Sequence, residues 1–178
     1  LKYSHRRTGV FSAAEVVDPQ TGVFDSVILY DQSSGSYANL TVEAGDGTAG
    51  DVVHPDSSAL VVQTGDAVYL GRNERFRLLR LVLSTAGSGG AVAVSYYDGS
   101  QWQAVTPVSG GCNLNASDEL VVLFEDDADV PPDWQRTTVN GQLRYWVRLL
   151  VTTAYTTAPV GSRVTAIGDV VAVQVGRS

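Results

Sequence analysis

Short runs rich in Val, Thr, Ala and Tyr recur along the whole chain, cut by Gly, Pro, Asn or Asp at intervals of roughly 8–15 residues. That rhythm matches the strand and turn spacing of sandwiches and barrels. It predicts strands over Gly9–Val17, Val23–Asp31, Tyr37–Ala44, Ala59–Val62, Ala67–Leu70, Ala91–Tyr97, Glu119–Glu125, Leu143–Thr153, Arg163–Ile167 and Val170–Val175. The turn residues between them supply the positive or fixed φ that reversals need. The expected class is all-β, an antiparallel β-sandwich carrying an N-terminal arm or extension.

Two reversals stand out. Asp98-Gly99 lies inside Ser95–Trp102 and Asn140-Gly141 inside Thr137–Arg148, each between aromatic-rich runs. Both dipeptides suit the type I′ turn, whose twist matches antiparallel strands, so both predict hairpins. Alternation is clearest just after the second. Leu143, Tyr145, Val147, Leu149 and Val151 share one face, expected to be core. Arg144, Trp146, Arg148 and Leu150 share the other, expected to be half-exposed or to face a partner. Asn73–Ser84 fits either an amphipathic helix capped by Asn73 or a strand whose facing flips between Leu78 and Leu79, which would imply a bulge. The β surroundings favour the strand.

At 178 residues the chain can bury about 70% of its unfolded surface, enough for a core without covalent staples. One cysteine, Cys112, excludes an internal disulfide framework and any multi-cysteine metal site, and His5 and His54 are the only histidines. No apolar run reaches the ~20 residues of a membrane span. The chain contains no methionine, even at position 1, as expected of a processed, trimmed or partial sequence. Lys2, His5, Arg6 and Arg7 precede no apolar stretch of secretory type. Residues 1–8 hold three of the twelve Lys and Arg and none of the nineteen acids, so they carry +3 and the remainder −10. An acidic body repels backbone phosphates and anionic lipid, so neither nucleic acid nor membrane is an expected partner. The basic segment around Lys2, Arg6 and Arg7 reads as an assembly arm.

Candidate chemistry is sparse. Gly45, Gly47 and Gly50 match a dinucleotide-binding pattern, with Asp66 at about the right distance, but Asp51–Pro55 carries no helical signal to hold a pyrophosphate. No cofactor is expected. No Gly-x-Ser-x-Gly elbow is present. Cys112 reads as packing rather than a nucleophile. Glu125–Asp129 offers carboxylates without the spacing of a calcium loop and reads as a solvated loop before Pro131-Pro132. Asn39 and Asn115 are formal glycosylation acceptors, and no carboxylate pair is singled out for glycoside hydrolysis. Trp102, Trp134 and Trp146, with Tyr96, Tyr97 and Tyr145, fit either core filling or a stacking surface for sugars.

From about Asp66 to Val164 the order of motifs resembles the jelly-roll β-sandwich domains of tailed-phage virion proteins. A hairpin reading Tyr97-Asp98-Gly99-Ser100 with Trp102 comes first, then a Pro132-Asp133-Trp134 corner, then Tyr145-Trp146-Val147-Arg148. The resemblance implies a jelly roll over 59–178, with 1–58 as arm and β extension, and carries no catalytic or metal-binding residues. It further implies a virion-surface subunit that binds rather than catalyses. The leading expectation is a homo-oligomeric (trimer possible) capsid decoration or cement protein on major capsid subunits. The alternative is a baseplate or tail-fibre domain whose tryptophans bind host glycans.

Overall fold

The computed structural model describes residues 21–109 and 111–167. In chain order the first strands are β1 (Thr21–Val23), β2 (Ser26–Asp31) and β3 (Ser36–Asn39), followed by helix α1 (Thr41–Asp46). Next come β4 (Ala67–Arg72), β5 (Leu78–Thr85), β6 (Ala91–Tyr97) and β7 (Trp102–Val105). The last are β8 (Asp118–Val122), β9 (Arg136–Val139), β10 (Gln142–Thr153) and β11 (Val160–Ile167). They form two antiparallel sheets, ordered β1-β11-β5-β8 and β3-β2-β4-β10-β6-β7, with β9 added along the start of β10. One apolar core lies between them, fed by Leu79, Leu81 and Val164 from the smaller sheet and Val27, Leu29, Val68, Leu70, Val147 and Leu149 from the larger. The molecule is an all-β sandwich, as the periodicity predicts.

The pairing has a simple logic. β1 pairs β11, β4 pairs β10, β5 pairs β8 and β6 pairs β7. This is the pairing of one long double strand, taken from its open ends to its tip. Folding that double strand over itself adds β11–β5 and β10–β6 and sends alternate pairs into opposite sheets. The β2–β3 hairpin extends the larger sheet beyond β4. Residues 21–58, expected as an extension, thus supply strands to both sheets, and Phe24, Leu40, Ala44 and Val52 join the same core. The predicted strands Gly9–Val17 and Val170–Val175, and the residues Lys2, His5, Arg6 and Arg7, lie outside the described residues.

Local expectations fare unevenly, for physical reasons. Asn140 and Gly141 both have left-handed φ (46° and 78°) and join Val139 to Gln142 in a two-residue turn, as type I′ requires. At Asp98-Gly99 the hairpin forms, but the loop is wider, closing on the Tyr97–Trp102 pair with only Gly99 at positive φ. The Asp98 carboxylate holds it, accepting from the backbone N–H groups of Ser100 and Gln101. The ambiguous run is a strand from Leu78 with Leu79, Leu81 and Leu83 inward. Its change of facing happens before the strand, where Phe76 is already buried, so its register with β8 has no bulge. The irregularity falls instead in its pairing with β11, where Val82–Thr85 face Val160–Arg163.

Three predicted strands are corrected. Tyr37–Ala44 breaks at Asn39, whose side chain accepts from the backbone N–H and the hydroxyl of Thr41 and so turns the chain into α1. Ala59–Val62 forms no sheet ladder, since the N–H groups of Val62 and Gln63 are taken by the buried Asp66 carboxylate. Val23–Asp31 is interrupted at Phe24-Asp25, and its two halves enter different sheets.

Packing is tightest around two tryptophans. Trp134 has no exposed surface and touches Phe76, Tyr96, Phe124 and Tyr145 at ring separations of 5.2, 6.0, 6.2 and 6.0 Å. Trp146 lies across Gly71 of the neighbouring strand, where an added Cβ would meet its Cζ3 at 2.5 Å. Trp134→Ala should therefore cost about 3–5 kcal/mol. Gly71→Ala should cost about 1–3 kcal/mol through overpacking, both read from urea unfolding midpoints.

Candidate functional site

Because strand side chains alternate, the larger sheet has a second face, turned away from the core. Cross-strand register places Ile28, Tyr69, Arg148 and Ser95 in one row across it. Aromatic residues from five strands then join edge to edge. Tyr30 meets Tyr37 at 4.8 Å, Tyr37 meets Tyr69 at 6.3 Å, Tyr69 meets Trp102 at 5.7 Å, and Trp102 meets Tyr97 at 5.6 Å. Below them Trp146 is edge-on to Tyr69 and its indole N–H donates to the Thr137 carbonyl at 2.8 Å. With Ile28 and Val139 it forms a second, smaller apolar cluster roofed by Tyr69 and Trp102. The result is a band of half-exposed aromatics, ending in Tyr37 at 45% exposure.

One cation is built into the band. The Arg148 guanidinium sits 4.5 Å from the centre of the Trp102 ring, and its Nε donates to the Ser95 hydroxyl at 3.2 Å. Stacking of this kind is worth about 0.5–2 kcal/mol and fixes the long side chain in place. Burial pushes the Tyr69 phenol above its ordinary value, so it stays a neutral hydrogen-bonding group. At the band's end Asp98 also accepts from Ser100 Oγ and from Gln103 Nε2. The hydrogen bonds, that from Gln103 largest, hold its carboxyl far below the usual range.

The three candidate tryptophans do not share a surface. Trp134 fills the inner core and Trp146 is fully covered, so neither can touch a ligand. Trp102 alone is half-exposed, with Arg148 over its ring. Nor do the other candidates assemble chemistry. Gly47, at φ 79°, ends α1, so the glycine loop meets the helix's carbonyl end rather than the N–H end that a pyrophosphate needs. Both oxygens of Asp66 accept backbone N–H groups, from Gln32, Val62 and Gln63. Cys112 is buried, and that burial drives its thiol far above the ordinary value.

In the acidic loop Asp126 and Asp129 cap one another around a short 3₁₀ turn, while Asp127 pairs with Arg77 at 3.0 Å. Among the described residues no group of three or more His, Cys, Asp or Glu is placed to hold a metal ion. No helix among them is long and apolar enough to cross a membrane.

One constellation was invisible in the sequence. Ser36 Oγ lies 3.4 Å from His54 Nε2, and Asp56 Oδ2 lies 3.8 Å from His54 Nδ1. Its polarity is the reverse of a hydrolase relay. The Asp56 backbone N–H donates to His54 Nδ1 at 3.2 Å, so in the neutral ring the proton is on Nε2, facing the serine. Ser36 donates its own proton to Asp56 Oδ2 at 2.7 Å. A histidine in this tautomer cannot take a proton from Ser36; the group ties the β2–β3 hairpin to the 54–59 turn. Ser36 meets His54 and Asp56 only through tertiary contact, and no local motif announces the group.

No family model, curated protein or solved structure matches this chain.

Two measurements check the site's electrostatics. Cys112 should resist thiol reagents in the native protein and react fully in denaturant. The Asp98 carboxyl is lowered on folding, so its contribution is present above an unfolded value of about 3.9 and lost as pH falls towards the folded one. Asp98→Asn should accordingly flatten the decline of stability below about pH 4.

Proposed function

We propose that this chain is a structural subunit of a tailed-phage virion, acting by binding, as a decoration or cement protein on the capsid surface. The aromatic band of the larger sheet is the face that seats on coat subunits. The observation that carries the reading is that the three motifs of the resemblance converge in space. Trp102 of the hairpin carries Arg148 of the Tyr-Trp-Val-Arg strand, and Trp134 of the proline corner packs on Tyr145 of that strand. They form one unit, half core and half surface.

Two further features support it. With β2, β3 and β9 set aside as additions, the remaining strands numbered in chain order run 1-8-3-6 in one sheet and 2-7-4-5 in the other. That order is expected of a jelly roll, two Greek keys wound together. The band is made of Tyr, Trp and Arg, the residues that dominate interface hot spots because they bury large rigid area and keep a polar end. Lys2, Arg6 and Arg7 remain part of the proposal as an arm.

A second reading, a baseplate or tail-fibre domain binding host glycans, draws on the half-exposed Trp102 and Tyr37. It must do without Trp134 and Trp146.

Immunogold labelling of intact particles with antibody to this chain separates the readings. Label over the head surface is expected. Label confined to the tail tip, with glycan-array binding that Trp102→Ala abolishes, would replace decoration by glycan recognition. Particles free of the chain would overturn both. On decoration-free heads, Trp102→Ala should weaken binding by roughly 30-fold, a hot-spot loss.

A further inference from the structure

Between the two sheets, on the side where β7 and β8 are the outer strands, a groove of about 400 Å³ opens. Its volume falls within the ~300–1,000 Å³ of pockets that hold small ligands or peptide anchors. One wall is the segment that leaves β7 and crosses to the smaller sheet, with Val105 and Val108; the other is Leu123 and Phe124. Val108 is 56% exposed, an apolar side chain left open beside the groove. Glu125 and Asp129 stand at the acidic end. Among the described residues, β7 pairs only with β6, so its other side offers backbone groups to an added strand.

We propose that this groove receives the basic N-terminal segment, Leu1–Phe11, of a second copy of the chain. The segment matches it in both respects that matter. It carries Lys2, Arg6 and Arg7, three cations without an acid, against a body of charge −10 whose groove is rimmed by carboxylates. It also carries Leu1, Tyr3, Val10 and Phe11 for the apolar walls. An extended peptide along β7 would gain ladder hydrogen bonds while its alternate side chains enter the groove.

A second copy can present its groove to the segment without the chain crossing back over its own sheet. The segment leads into β1, at the opposite edge of the smaller sheet from β8. Passing a segment from one edge of a copy to the opposite edge of the next is a head-to-tail contact, which builds a ring where the rotation between copies closes and a filament where it does not. This inference does not depend on the virion reading, because its test uses the purified full-length chain alone.

Sedimentation velocity of the full chain should show an oligomer at low salt whose mass falls towards the monomer as salt rises. K2E/R6E/R7E and E125K/D129N should each weaken association at least ~10-fold. D129N keeps an oxygen for the Asp126 N–H, so circular dichroism and melting should stay unchanged. Mixing the two variants pairs an acidic segment with a basic groove, and a basic segment with an acidic one, so assembly should return. A monomeric wild type at every salt concentration would overturn the proposal. So would undiminished association of either variant alone. Failure of the mixture to assemble would show that the segment does not dock between copies, and would overturn it equally.

Discussion

The structure hangs on β10, the strand that must satisfy both faces of the larger sheet at once. One side of it, Tyr145, Val147, Leu149 and Val151, closes the sandwich core. The other side carries Trp146 and Arg148, which cannot be left bare on an ordinary solvated sheet face. Covering the indole requires a second apolar layer, and Tyr69, Trp102, Ile28 and Val139 provide it. Gly71 is forced by the same demand, since any side chain there would occupy the space of the tryptophan ring. The outward aromatic band thus grows from the covering of a single core-sized residue on the wrong side of a sheet.

That origin shapes what the face can do. Its rings meet mostly edge to edge or tilted, each already touching a neighbour, and Arg148 occupies Trp102. A surface with its side chains held in place loses little entropy on binding, which favours contact with another rigid protein surface. The acidic groups near it are committed to structure: Asp98 to its turn, Asp133 to the Tyr96 hydroxyl at 3.0 Å. Glu119 likewise accepts from the N–H groups of Leu114, Asn115 and Ala116 and secures the loop before β8.

Much of the fold was legible residue by residue where local and global demands agree. Ala91–Tyr97 has the bounds its pattern predicts, and the Asn140-Gly141 turn has the φ values its sequence requires. Failures cluster where a side chain competes with the ladder for backbone groups. Asn39 ends a strand that its hydrophobic pattern would continue, and Asp66 removes Val62 and Gln63 from pairing. Leu143 shares the core parity of β10 yet is 51% exposed, because the β9–β10 hairpin carries it past the end of the core. For the site, aromatic content was visible but its division was not. Nothing local distinguishes Trp134, buried inside, from Trp102, half outside.

By itself the sequence determined the class, the hairpins and the charge asymmetry, since each follows from periodicity, turn chemistry or counting within short windows. Only the tertiary structure decided which pairs of strands fall in which sheet and which tryptophan stays within reach of solvent. It alone brought Ser36, His54 and Asp56 together in a non-catalytic polarity. Those outcomes depend on which distant strands become neighbours. A strand's own pattern says only that it has two faces, not what will come to cover each of them.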